Sequence, residues 1–220
     1  MNRKAWNLFG FLGAMTLALC VSISASHAQL PKDDDDKQEK ADKPGDSKKP
    51  KSQRWQISWG VDAESQRMRT TPKPTTIAHL LKYKRPADMP GTGKYPEKYK
   101  THRIKPVEVA VWSIRGTVIN VAAEHDGDYR LIVADENGNQ VTCVLPDPAL
   151  VPKKGKFTRR INAARATAVK KFKPTFEPRD VKVPVQLTGL GYFGRFNSDA
   201  NKSPEGFQLH PVISVKFPSR

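Results

Sequence analysis

V-E-V-A-V-W-S-I-R-G-T-V-I-N-V-A (107–122) opens the stretch that decides the fold of this 220-residue chain. Val107, Val109 and Val111 alternate with Glu108 and Ala110, the two-residue period of a strand with one buried face. The phase then shifts so that Ile114 and Val118 line up, with Gly116 between them. A long first strand that serves both halves of a small barrel must bend, and a glycine or bulge lets it do so. Two further strand-like runs follow, Y-R-L-I-V-A-D (129–135) and Q-V-T-C-V-L (140–145). Next comes a helical run, F-T-R-R-I-N-A-A-R-A-T-A-V-K-K-F (157–172). V-K-V-P-V-Q-L-T-G-L-G-Y-F (181–193) and G-F-Q-L-H-P-V-I-S-V-K-F (206–217) complete the set.

This β-β-β-α-β-β order predicts a mainly β domain at 107–220. It is the order of an OB-fold, a five-stranded Greek-key barrel with one helix between strands 3 and 4. In the helix, Phe157, Ile161, Ala164, Ala168 and Phe172 make one apolar stripe, which would close one end of the barrel. On the second strand Arg130 and Ile132 are expected to face out, opposite Tyr129, Leu131 and Val133. D-E-N-G-N (135–139) reads as a turn with Gly138 at positive φ. Phe207, Leu209, Ile213, Val215 and Phe217 are expected on one face of the last strand, where Pro211 implies an edge or a bulge.

Working outward, residues 1–28 carry the marks of a signal peptide: Arg3 and Lys4, an apolar stretch from Leu8 to Val21, and Ser26-His27-Ala28 before an expected cut at Gln29. The apolar stretch is shorter than the roughly 20 residues of a spanning helix, so the expected address is export, to the periplasm or the extracellular medium, with no membrane span after cleavage. Cleavage would remove Cys20 and leave Cys143 as the single cysteine. An internal disulfide is then impossible, and a buried mid-strand cysteine acts as a small hydrophobe. Residues 29–54 hold almost no apolar side chain and read as a charged, disordered linker. Residues 55–106 read as an irregular extension rich in Pro, Lys and aromatics. T-T-I-A-H-L-L-K (75–82) should form a short helix there, capped by Thr75 or Thr76, and Trp55, Trp59 and Tyr83 should anchor the extension to the barrel.

Three stretches, R-I-K-P-V-E-V (103–109), D-G-D-Y-R-L-I-V-A-D (126–135) with P-D-P (146–148), and L-T-G-L-G-Y-F (187–193) with G-F-Q-L-H-P-V-I-S-V (206–215), resemble a family of exported bacterial OB-fold proteins without an assigned activity. The resemblance covers roughly 70–217, and L-H-P-V is its most specific mark. Relatives carry a His at the position of Arg130, a His-Gly pair near Asn197 and a Glu at the position of Gln208, so this chain departs from the pattern at polar positions. Asp126, Asp128 and Asp147 are also similar to the metal-binding carboxylates of staphylococcal-nuclease-like OB barrels. That similarity implies a hard cation, Ca²⁺ or Mg²⁺, that would polarise a phosphate. Thr142 and Leu150 stand where those barrels place their arginine and glutamate, and hydrolysis is not expected without them.

Charge distribution narrows the partners. The chain carries a formal net charge of +16. Residues 153–182 hold eleven basic and two acidic groups, whereas 123–147 hold one basic and six acidic. The face an OB-fold uses for nucleic acid is therefore acidic, and phosphate is disfavoured there. The basic stretch predicts contact with an acidic polymer or envelope component through Lys153, Lys154, Lys156, Arg159, Arg160, Arg165, Lys170 and Lys171. His210, beside a proline in a strand, reads as a structural histidine. The expectation is a monomeric, non-catalytic binding protein with no required cofactor. A metal-dependent phosphodiesterase and a structural module that binds other envelope proteins are the alternatives.

Overall fold

β-branched and aromatic side chains recur through the runs that become strands, and five of those strands close on one another. The structure is a computed structural model describing residues 54–196 and 203–218. The expected signal peptide, residues 29–53 of the expected linker and Asn197 lie outside the described residues. Four short helices and one short strand come first: α1 (Trp55–Ser58), α2 (Ala63–Arg67), β1 (Lys73–Pro74), α3 (Ile77–Leu80) and α4 (Glu97–Thr101). Then follow β2 (Val111–Ala123), β3 (Tyr129–Ala134), β4 (Gln140–Leu145), α5 (Thr158–Phe172), β5 (Arg179–Phe193) and β6 (Phe207–Lys216). The fold is mainly β, as expected.

One six-stranded sheet runs in the order β1-β2-β3-β4-β6-β5, and β5 also pairs with β2. The strands β2, β3, β4, β6 and β5 therefore form a closed ring. β1 is an addition to the expected five, lying parallel to β2 at Trp112 and Ser113. The junction of β4 and β6 is parallel and short, at Thr142↔Gln208 and Cys143↔Leu209. All the other ring pairings are antiparallel. No helix among the described residues is long and apolar enough to cross a membrane.

Two features of β2 differ from the reading of its sequence. Residues 107–110 lie before the strand, in turn and bend structure, and Glu108 is buried rather than outward. Its amide donates to Ile104 O at 2.7 Å, so the Val-x-Val alternation there is a turn that happens to match a strand period. The register shift falls between Val118 and Asn120 rather than at Gly116. Gly116 instead permits a close approach: a Cβ there would sit 2.6 Å from Ala134 O.

Ring-facing side chains make the main core, which includes Val118, Leu131, Val133, Val141, Cys143, Leu145, Leu187 and Phe193. Cys143 is fully buried and unpaired, and burial pushes its thiol pKa well up. All five residues of the predicted α5 stripe are buried. β6 is more complex than one face. Its register shifts twice against β5, between Thr188 and Gly191, so Val212 and Val215 enter the main core while Ile213 joins Phe157, Ile161 and Leu190 in a second cluster. The bulge expected at Pro211 lies in this stretch, and Gly189 faces Pro211 O, where a Cβ would approach to 2.9 Å.

The extension is built into the fold. Thr76 caps α3 by accepting from His79 N at 3.1 Å, so the predicted helix forms, shortened to four residues. Trp59 is buried, with Trp55 edge-on to it at 5.1 Å, and Tyr83 packs against the core. Two buried ion pairs tie the segment down. Asp62 caps α2 and holds the Arg103 guanidinium at 2.6 Å. Arg54, assigned by composition to the linker, is fully buried and pairs with Glu108 at 2.6 Å.

Candidate functional site

Because Phe157, Ile161, Ala164, Ala168 and Phe172 turn inward, α5 presents most of its remaining positions to solvent, Thr158 and Arg165 excepted. Arg159, Lys170 and Lys171 are exposed and Arg160 is half-buried. Lys153 and Lys154, in the lead-in to the helix, are exposed as well. From 153 to 173 the chain holds no acidic residue. The first turn of α5 has neither an acidic residue nor a side-chain cap. Arg159 and Arg160 thus stand at the positive end of the helix dipole, which costs about 0.3–1 kcal/mol per charge.

Lys156 has a different task. Its ammonium donates to Gln66 O at 2.9 Å and to Met68 O at 2.5 Å, and its amide donates to Gln66 Oε1 at 3.1 Å. These bonds bring the end of α2 beside the lead-in of α5. Arg67 and Arg69, both exposed, flank this junction. Sequence reasoning did not place them with the basic stretch, because the contact spans about ninety residues. The one available signal was the eleven basic against four acidic residues of 55–106.

Arg165 does not belong to the exposed face. It is 8 % exposed, with its guanidinium 3.6 Å from the centroid of the Tyr129 ring. Nη1 donates to Leu145 O at 2.6 Å and to Pro146 O at 3.0 Å, and Nη2 donates to Gly127 O at 2.7 Å. A planar fork with five donors suits three converging carbonyls. Arg165 therefore clamps the 126–128 loop to the end of β4. Arg165→Met should lose about 1–3 kcal/mol, since buried carbonyls would be left without donors. Urea denaturation at neutral pH checks this, and Lys170→Met on the exposed side of the same helix should stay within about 0.5 kcal/mol of the parent.

The three aspartates are brought together, but into a loop structure. Asp126 Oδ1 accepts from Asp128 N at 3.1 Å, Asp128 Oδ1 from Asp147 N at 2.8 Å, and Asp147 Oδ1 from Ala149 N at 2.9 Å. Gly127, at φ +88°, leaves the space that Asp147 fills. Burial, reinforced by the charge of Asp126, pushes the Asp128 carboxyl up to about 8. That shift favours the neutral acid, and Asp128 Oδ1 is already engaged by the Asp147 amide. Among the described residues, no group of three or more His, Cys, Asp or Glu side chains is placed to hold a metal ion.

Next to this loop lies His210. Its Nε2 is buried without a hydrogen-bond partner, 3.7 Å from Asp128 Oδ2. Burial pushes the imidazole down to about 3, so His210 is neutral, packed edge-on against Tyr192 at 5.5 Å. Arg130 pairs with Glu124. Ile132, expected in solvent, is only 2 % exposed. It does face outward, because Leu131 and Val133 on either side of it belong to the core, and neighbouring side chains cover it.

No family model matches this chain. No curated protein matches it in sequence.

Proposed function

We propose that this chain is an exported, non-catalytic OB-fold protein that binds an acidic polymer through the basic surface around α5. The ring order β2-β3-β4-β6-β5, with a helix between β4 and β5 and a short parallel junction between β4 and β6, supports the OB reading. The N-terminal pattern of 1–28 and the single remaining cysteine support export.

One observation carries the ligand class: an uninterrupted basic stretch, 153–173, exposed at both ends of one helix. Lys153, Lys154 and Arg159 lie at its start with Arg67 and Arg69 nearby, and Lys170, Lys171 and Lys173 lie at its end. Arg159 and Lys170 are eleven residues apart, which is about 16 Å along a helix. Two positive clusters at that separation suit a linear polyanion better than a single phosphate. The uncapped positive start of α5 points the same way, since a bound anion would offset the dipole penalty there.

Immobilised heparin tests the proposal. The full chain should be retained at physiological salt and released as salt rises, because neutralised cations release counterions. Changing Lys153, Lys154, Arg159, Lys170 and Lys171 together to Gln should abolish retention without changing the circular dichroism spectrum. Flow-through of the parent at physiological salt, or retention indifferent to salt, would overturn it.

A further inference from the structure

We infer that the outer face of β2, β5 and β6 is a second, separate surface, one that seats the protein on an anionic lipid bilayer. Arg115 stands opposite Gln186 on β5, and Gln186 stands opposite Lys216 on β6. Facing residues of antiparallel strands share one side of a sheet. Ile114, Leu187 and Val215, their neighbours in sequence, all enter the core, so the row of Arg115, Gln186 and Lys216 points out. Lys182 lies four residues along β5 from Gln186 and shares its side. Arg115, Lys182 and Lys216 are all exposed.

These cations have no counter-ion of their own. β2 and β6 contain no acidic residue, and β5 contains one, Asp180 at its start. Asp180 is already engaged, accepting from Asn120 Nδ2 at 2.9 Å. Among the described residues, none of the three cations is in a salt bridge. Pro184 lies between Lys182 and Gln186, exposed, uncharged and in register with Thr117. The face is thus three separated cations around a neutral centre.

Spacing separates a bilayer from a single chain. Arg115 and Lys216 are two strands apart, about 10 Å, and Lys182 stands about 13 Å from their row along β5. A linear polyanion meets cations in file, as along α5, whereas cations at the corners of a triangle need anions spread in two dimensions. Lipid head groups supply that array. The contact is peripheral, since no helix among the described residues is long and apolar enough to cross a membrane. Each Lys or Arg near such a surface strengthens binding by about fivefold, and three together by about a hundredfold.

Co-sedimentation of the mature chain, beginning at Gln29, with lipid vesicles tests the inference. The chain should bind phosphatidylglycerol vesicles but not phosphatidylcholine vesicles, and should be released as salt rises. Changing Arg115, Lys182 and Lys216 together to Gln should weaken binding by about a hundredfold. Heparin retention and the circular dichroism spectrum of that variant should stay as in the parent. Changing Lys153, Lys154 and Arg159 to Gln should leave vesicle binding intact, so this face and the basic surface around α5 fail independently. Inorganic phosphate should release the protein no better than sodium chloride of equal ionic strength, because no single phosphate spans the face. The inference is overturned if the parent ignores phosphatidylglycerol vesicles or binds both kinds equally. It is equally overturned if the variant at Arg115, Lys182 and Lys216 binds like the parent, if the variant at Lys153, Lys154 and Arg159 loses as much, or if inorganic phosphate is the better competitor.

Discussion

Replacing Glu108 by alanine is expected to cost about 3–5 kcal/mol of folding stability, the range for breaking a buried ion pair from one side. Glu108 is fully buried and accepts four hydrogen bonds. Two come from the Arg54 guanidinium at 3.0 and 2.6 Å, and two from the amides of Phe193 and Ile104 at 2.8 Å each. Arg54 in turn donates to Tyr99 O at 2.6 Å and to Phe193 O at 2.9 Å, and its guanidinium carbon lies 5.0 Å from the Tyr192 centroid. Removing the carboxylate would leave a buried guanidinium uncompensated and two amides without acceptors. Urea denaturation measures the loss, and a change below about 1 kcal/mol would contradict the assignment. The double variant Arg54→Met/Glu108→Leu should recover part of the loss, because no charge then remains buried. A chain beginning at Trp55 should be destabilised like the Glu108 variant, whereas one beginning at Gln53 should not.

Stability should also fall as pH rises from about 6.5 to 8. The unfolded pKa of an aspartate lies near 3.9, and burial together with the charge of Asp126 pushes Asp128 up to about 8. Between those values the folded protein keeps a proton that the unfolded chain has released, so raising the pH favours unfolding. His210 works in the opposite sense. Its buried imidazole is pushed down to about 3, against about 6.5 unfolded. Between those values the unfolded chain binds a proton that the folded state excludes, so stability rises with pH. From about 4 to 6.5 the two slopes oppose and largely cancel. Above about 6.5 the His210 slope has ended and no longer opposes that of Asp128, so stability should fall by up to about 1.4 kcal/mol per pH unit. Asp128→Asn keeps an acceptor for the Asp147 amide and cannot ionise, so its denaturation midpoint should stay flat over that range. Parallel pH profiles for parent and variant would contradict this account.

Much of the fold was legible because it is local. The strand runs, the Gly138 turn and the α5 stripe follow from periodicity and turn chemistry. The α5 stripe also held a clue to Arg165. Positions 161, 165, 168 and 172 are spaced as i, i+4, i+7 and i+11, so Arg165 borders the buried face. Its charge made it look like its exposed neighbours, although only a buried guanidinium could satisfy the carbonyls of Gly127, Leu145 and Pro146. Residues 107–110 were misread for the converse reason, since a turn can share the period of a strand.

Other features left no local trace. The pairings of Arg54 with Glu108 and Arg103 with Asp62 join residues 54 and 41 positions apart, and a lone basic residue at the edge of a charged stretch carries no sign of burial. The junction of Lys156 with α2 is equally remote, so Arg67 and Arg69 were not assigned.

The central claim is that an acidic polymer binds the exposed cations around α5, and salt dependence tests it most directly. The affinity of the full chain for a single-stranded thymidine oligonucleotide, used as a generic polyanion, would be followed by fluorescence anisotropy over a range of salt concentrations. Each neutralised phosphate contributes about −0.7 to the slope of log K against log salt. Contact through about five cations predicts a slope near −3.5, or roughly a hundredfold loss of affinity between 50 and 200 mM salt. The variant with Lys153, Lys154, Arg159, Lys170 and Lys171 changed to Gln should lose most of that slope. A parent slope near zero, or an equal slope in parent and variant, would contradict the claim.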